Sequence, residues 1–289
     1  MASTAPPFWQ RVVRDGLRVP TDRPLGDMTA ELTSMLGSTE PELRDGIAYP
    51  TLATWIGRGV YDDLLAGLGD GMVAGLSVGL GEQDTDSVFR RAFSVLVLAG
   101  CITRANQLDR LPADKVLEWG DRLTTWYVRE KDLRGYVPGS GWAHAIAHGA
   151  DAIAALAASP HIGKPELTVL LDVIADRVLL PVEQVFTHGE PDRLAAATMA
   201  ILRRDLVPLS VLEPWVARLA AVAGRPPHHD VDPFLTTGNP ESFLRALYLA
   251  LTLLQPRQPA CRADLLLTLV EALRATNPFY FTDAATTQS

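Results

Sequence analysis

Apolar residues recur along most of this chain at spacings of three and four, which is the period of an α-helix with one buried face. Leu64, Leu65, Leu68, Met72, Leu76 and Leu80 form one such series. Val116, Leu117, Trp119, Leu123 and Trp126 form another, and Leu167, Leu170, Leu171, Ile174 and Val178 a third. Read this way, the pattern predicts a short amphipathic helix around Trp9, Val12, Val13 and Leu17, then helices over 27–36, 39–56 (broken near Pro50), 61–81, 86–104 and 112–129. Further helices follow over 139–159, 165–180, 192–206, 210–224, 239–254 and 263–274. No stretch alternates convincingly with the period of two expected of a strand.

The boundaries come from helix-start chemistry. Thr39 to Glu42 and Ser210 to Glu213 have the spacing of a capping box, in which a hydroxyl and a carboxylate three residues on each satisfy a free amide. Asn239-Pro240 reads as an N-cap followed by proline at the first helical position. Gly71, Gly75 and Gly79 recur on one side of their series and are expected to admit a neighbouring helix closely. The sum is an all-α chain of ten to twelve helices with short connections, the pattern of stacked helical hairpins in a HEAT-like α-solenoid. The expected organisation is an N-terminal segment over 1–26, one helical domain over 27–281 and a frayed tail over 282–289.

Composition narrows the function classes. Of 289 residues, 47% are hydrophobic and 21% charged, which is ordinary globular usage. The formal net charge is −8, and lysine occurs only at 115, 131 and 164. With no clustered cations to displace the counterions of a phosphate backbone, nucleic acid is not an expected partner. No cationic head with an apolar block opens the chain, and no apolar run is long enough to span a bilayer, so a soluble cytoplasmic protein with no membrane partner is expected. Cys101 and Cys261 match no metal or redox spacing and read as free thiols in a reducing compartment.

The densest candidate chemistry lies between Gly139 and Ile153. If this stretch enters a helix through its glycines, 100° per residue puts His144, His148 and Asp151 within an arc of roughly 60°. The rest of that helix is almost entirely Ala, Ile and Leu. A solvated helix face would use Glu, Lys or Arg instead. Trp142 precedes the histidines, and Arg134 arrives just before the glycine turn, placed to fix an anionic group. Arg193 and Arg245 are candidates to line the same face. Two histidines at i and i+4 plus a carboxylate one turn on can hold a divalent metal, with Glu130 and Asp132 as candidate acceptors behind the imidazoles.

The bland alternative is a set of polar side chains bonded to neighbouring helices, and no cofactor is otherwise expected. Arg44, Asp45 and Tyr49, with Arg90 and Arg91, read as inter-helix ion pairs. His228, His229, Asp230 and Asp232 form a second, weaker metal candidate in a proline-rich loop. The expected function is recognition of a small molecule or a protein segment on a concave face lined by Trp142, His144, His148, Asp151 and Arg134. The alternative is a metal-assisted hydrolase or lyase using His144, His148 and Asp151.

Several segments carry a resemblance. These are Leu36 to Pro50, Val88-Phe-Arg-Arg-Ala-Phe93, Asp132-Leu-Arg-Gly-Tyr-Val137, Gly141-Trp-Ala-His-Ala-Ile-Ala-His-Gly-Ala-Asp151 and Asn239 to Tyr248. Together they resemble a bacterial family catalogued as a domain of unknown function, DUF2785. The resemblance spans roughly Asp27 to Phe281 and is most specific at the tryptophan-histidine segment. It implies an all-helical cytoplasmic protein and supplies no activity, cofactor or catalytic residue.

Overall fold

The computed structural model describes residues 6–108, 111–225, 232–253 and 257–278, and these are mostly helical. By their contacts they fall into two compact units, one ending at His161 and the other beginning at Ile162.

The first unit holds α1 (Pro7–Arg14), α2 (Leu25–Met35), a single helical turn α3 (Pro41–Leu43), a π-helical turn (Arg44–Ala48), α4 (Tyr49–Gly57), α5 (Leu65–Gly75), α6 (Ser87–Leu108), α7 (Ala113–Arg129), a hairpin of β1 (Tyr136–Val137) and β2 (Gly141–Trp142), and α8 (Ala145–Ala157). Part of the expected N-terminal segment is tied into this unit. Trp9 is buried and donates its indole N–H to Glu31 at 2.9 Å, while Trp55 donates to the Leu17 carbonyl at 2.9 Å.

Helix α6 is the centre of the unit. Its whole middle, from Val88 to Ala105, is buried on most sides, and it packs against α4, α5 and α8. Tyr49 meets Phe93 at the start of α4 and Ile56 lies beside Gly100 a full two turns on. On the other flank His148 meets Phe93, and Asn106 donates to the Ala155 carbonyl at 2.9 Å. The paired positions advance together, so α4, α6 and α8 run in the same direction with α6 in the middle. Helices α5 and α7 pack on each other, and the α7–α8 pair is antiparallel: Tyr127 lies beside Gly149 and Gly120 beside Leu156.

Close packing at glycine is selective. A Cβ at Gly75 would lie 2.1 Å from the Ser94 hydroxyl, as the glycine series led one to expect. Gly71 faces open space, and Gly79 belongs to a turn beyond the end of α5 at φ +60°. The tightest approach the series missed is Gly69, where a Cβ would sit 2.1 Å from the Trp119 ring.

The break near Pro50 takes a different form from a helix end. Proline lacks an amide and crowds the carbonyl four residues back. The π turn immediately before it widens the spiral by one residue, with Tyr49 N–H bonding to the Arg44 carbonyl, and the helix continues into α4. Neither expected capping box forms. Pro41 and Leu209 are the first helical residues, and no side chain caps either helix. The expected helix over 61–81 is helical as α5 only over 65–75, with turns on both sides. The expectation of no strand is corrected by the short hairpin at 136–142.

The second unit holds α9 (Lys164–Leu179), α10 (Glu190–Leu202), α11 (Leu209–Ala223), α12 (Phe234–Leu253) and α13 (Arg262–Thr276). Its core gathers Leu171, Ile174, Leu212, Trp215, Leu219, Phe243 and Leu247. Trp215 of α11 donates to the Leu171 carbonyl of α9 at 2.8 Å, and its ring meets Phe243 of α12 edge-on. Each helix of this unit packs on the next or next but one, and α9 also packs on α12. Asn239 and Pro240, expected to open a helix, lie inside α12. The Asn239 side chain instead accepts the Phe186 N–H at 2.8 Å, a tertiary bond that local spacing does not reveal. His228, His229 and Asp230 lie outside the described residues, as does the tail after Phe281.

Candidate functional site

The hairpin is the local origin of the site. Tyr136 pairs with Trp142 and Val137 with Gly141 across an antiparallel register. Gly139 and Gly141 both take positive φ, which the tight reversal requires. The pairing runs on past β2, with Ala143 N–H bonding to the Gly135 carbonyl at 2.8 Å and His144 N–H to the Arg134 carbonyl at 3.1 Å. His144 then turns the chain from extended to helical. It sits at φ 55° in the left-handed region, a conformation costing about 1–2 kcal/mol for an L-residue though histidine is among those enriched there. Helix α8 therefore starts at Ala145, and His144 is its N-cap residue rather than a member of a helical stripe.

The two imidazoles still meet. Trp142 stacks on His144 with ring centroids 4.4 Å apart and planes 23° from parallel, and His144 meets His148 edge-on at 5.9 Å. His148 meets Phe93 at 5.2 Å, and Phe93 meets Tyr49 at 6.2 Å. At the other end Tyr136 meets Trp142 at 5.1 Å. Six rings thus form a continuous train from the exposed hairpin, where Tyr136 is 50% and Trp142 42% exposed, to the start of α4. His148 is 8% exposed, and its Nδ1 lies 3.1 Å from the Ala92 carbonyl. A carbonyl only accepts, so Nδ1 carries the proton and Nε2 of a neutral ring is the acceptor.

Beside this train lies a cleft of about 370 Å³ on the open face of α4, α6 and α8. Tyr49, Ala53 and Ile56 form one wall, Leu96, Gly100 and Thr103 the floor, and Asp151 and Ala155 the other wall, with Arg104 and Gln107 further along α6. Asp151, one turn beyond His148, is the member of the sequence-predicted trio that lines it. A Cβ at Gly100 would meet nothing nearer than Ile56 at 3.7 Å, so the missing side chain there deepens the floor.

Beneath the hairpin Arg44 is fully buried, and its position inside the π turn turns it inward. Its two terminal nitrogens donate to the Ser38 carbonyl, the Ser140 carbonyl and Asp45, each at 2.7 Å. Its guanidinium lies over the rings of Phe89 and Phe93, at 4.2 and 4.9 Å. Desolvation pulls the Arg44 pKa below its ordinary value, opposed by Asp45. Desolvation likewise pushes the Asp45 carboxyl up, and Arg44 limits the rise. Arg44 thus ties the hairpin to the π turn. The expected inter-helix ion pair is here a bond between sequence neighbours, with the backbone carbonyls making the long-range link.

The other expected roles are redistributed. Glu130 and Asp132 each grip an arginine. Glu130 grips the buried Arg91 at 2.5 and 2.8 Å and also accepts the Trp126 indole N–H at 3.0 Å. Asp132 holds Arg134 at 2.6 and 2.9 Å and accepts the Asp84 N–H at 3.0 Å. Arg134, expected to fix an anion, is thus ion-paired to Asp132, whose hydrogen bond raises its pKa, and donates to the Thr85 carbonyl at 2.7 Å. In the second unit Arg245 bonds to Glu241 and Asn277. Among the described residues no group of three or more His, Cys, Asp or Glu side chains is placed to hold a metal ion. Reading the sequence missed Tyr49 as a wall of the cleft and Gly100 as its floor; the helical period placed both on helices but not on a shared face.

Fold and site together define a mostly helical protein with an aromatic-imidazole train running into a small cleft. Its sequence belongs to the family described as a protein of unknown function, DUF2785, whose model matches residues 76–249, more than half of the chain. No curated protein matches the chain, and no solved structure does. Among the described residues no helix is long and apolar enough to cross a membrane.

Proposed function

We propose that this is a HEAT-like helical binding protein whose recognition site is the cleft on α4, α6 and α8, with His144, His148, Trp142 and Asp151 at its hairpin end. The observation that carries the reading is the continuity of the ring train with the cleft. Tyr49 belongs to both, and Asp151 brings the polar stripe of α8 into the lining. Support for the solenoid comes from the packing of α4, α5, α6, α7 and α8 on next or next-but-one neighbours, and from the shared direction of α4, α6 and α8, which is how stacked hairpins present an open face. A concave, largely apolar lining with a few convergent polar groups is the usual form of a ligand site. Arg134 acts in this reading through Asp132 as a support of the hairpin root.

The test is a saturation-transfer NMR screen of neutral, anionic and cationic aromatic fragments against the wild type, Gly100→Leu, His144→Ala and Asp151→Ala. Leucine at 100 fills the floor from a position with room for a side chain. Fragments that bind the wild type and are lost on Gly100→Leu, with melting temperature maintained, support the site. Hits indifferent to all three substitutions place recognition elsewhere.

A further inference from the structure

One stripe of α6 supplies the floor of the cleft. Leu96, Gly100, Thr103 and Gln107 all line it, and at 100° per residue the four fall within an arc of about 60°. The stripe changes character midway. Its first half is hydrocarbon or open floor, with Ile56 of α4 beside Gly100. Its second half is polar and uncharged, and both residues there are exposed. Thr51 on α4 turns its hydroxyl back to the Ile47 carbonyl at 2.6 Å, the usual bond of a helical threonine. Thr103 makes no such bond. Its hydroxyl has no hydrogen-bond partner among the described residues, and neither has the side-chain NH2 of Gln107, whose oxygen accepts Arg104 at 3.3 Å.

The charged groups of the lining are already taken. Arg104 donates through Nε and Nη2 to the two oxygens of Asp62 at 2.8 and 2.6 Å, the bidentate arrangement that a guanidinium fits best. Asp151 has a partner within the chain as well. A charged occupant would give up hydration and find no open counter-charge, and an unpaired charge is the costliest group to take out of water. An uncharged one covers the apolar half and needs only what Thr103 and Gln107 still have to give. Size agrees with a small molecule: 370 Å³ lies in the lower part of the range of about 300–1,000 Å³ for such pockets.

Resting on the binding-site reading above, we infer that the cleft takes a small uncharged molecule. Its apolar body lies over Leu96 and Gly100, and its one hydrogen-bonding group meets the Thr103 hydroxyl, with the Gln107 amide one turn beyond.

Isothermal titration at neutral pH with matched indoles tests the inference. Tryptophol is the uncharged alcohol, 3-propylindole its counterpart without the hydroxyl, tryptamine the cation and indole-3-acetate the anion. Tryptophol should bind about tenfold tighter than either charged probe, or better. Thr103→Val should weaken tryptophol by about three- to tenfold, the worth of one hydrogen bond, and leave 3-propylindole unchanged. Thr103→Ser, which keeps the hydroxyl, should restore tryptophol binding. Gly100→Leu should remove both uncharged probes, and Ala53→Leu closes the cleft independently from the α4 wall; a thermal melt of each variant shows that it is folded. A charged probe that binds as tightly as tryptophol, and is lost on Gly100→Leu, overturns the uncharged assignment while leaving the cleft as the site. Tryptophol binding unmoved by Thr103→Val overturns the placement of its polar group. Binding unmoved by both Gly100→Leu and Ala53→Leu overturns the site itself. Failure of tryptophol to bind at millimolar concentration also overturns the inference, and the fragment screen then reports separately on the cleft.

Discussion

Cys101 lies fully buried in the middle of α6, and burial pushes its thiol from an ordinary value near 9.0 up to about 12. The sign of the consequence follows from proton counting. Between pH 9 and 12 the unfolded chain has lost the thiol proton while the native protein keeps it, so stability falls as pH rises, by up to about 1.4 kcal/mol per pH unit. Cys101→Ala should flatten the decline in urea-unfolding free energy between pH 9 and 11 relative to wild type, whatever it does to the level at pH 7. The Arg91–Glu130 pair belongs to the same scale. Both side chains are fully enclosed, and Glu130 also holds the Trp126 indole and the Asp132 amide. Glu130→Ala leaves a buried guanidinium without its carboxylate, a change that costs about 3–5 kcal/mol, measurable as a lowered urea midpoint. Arg91 was legible as an ion-pair partner from its residue type. Its partner was not, because thirty-nine positions separate it from Glu130 and only packing closes that distance.

At the scale of the element, two helical glycines separate propensity from packing. Both lie inside helices, where alanine is favoured over glycine by about 1 kcal/mol. At Gly100 an added Cβ meets only Ile56 at 3.7 Å, so Gly100→Ala should raise the unfolding free energy by up to about 1 kcal/mol. At Gly149 it would lie 2.3 Å from the Tyr127 ring, whose hydroxyl is itself bonded to the Ile146 carbonyl. Gly149→Ala must push α7 and α8 apart, and overpacking of about 1–3 kcal/mol outweighs the propensity gain, so the melting temperature should fall. Sequence reading located the helices well and their starts less well. Thr39 and Ser210 have the right spacing for capping boxes, but Pro41 and Leu209 open the helices without them. Capping residues contribute about 1 kcal/mol, small enough for packing to override. The hairpin at 136–142 was hidden because two-residue strands leave no alternation to read.

For the whole molecule, the division at His161 and Ile162 is a property of contacts. The connection there, Ser159-Pro-His-Ile-Gly163, has the same turn-forming composition as other inter-helix loops of the chain, so no local signal marks it as different. The family match runs across it, from 76 to 249. The first unit contains its own core around α6 and every residue of the cleft. Residues 1–161 expressed alone should therefore give a cooperative thermal transition by circular dichroism; a broad, non-cooperative melt would show that this unit depends on the remainder of the chain.

The sequence by itself determined the helical class, the approximate span of most helices and the concentration of unusual chemistry between Trp142 and Asp151, because the period of apolar residues and the residue types are local properties. Tertiary structure decided what that chemistry faces. His144 became a turning point outside the helix, Arg134, Asp132, Arg91 and Glu130 became the supports of the hairpin and of α6, and Tyr49 and Gly100 joined Asp151 around one cleft. Those outcomes depend on which helix faces meet, and the sum of many weak contacts between distant residues sets that meeting rather than any spacing within one segment.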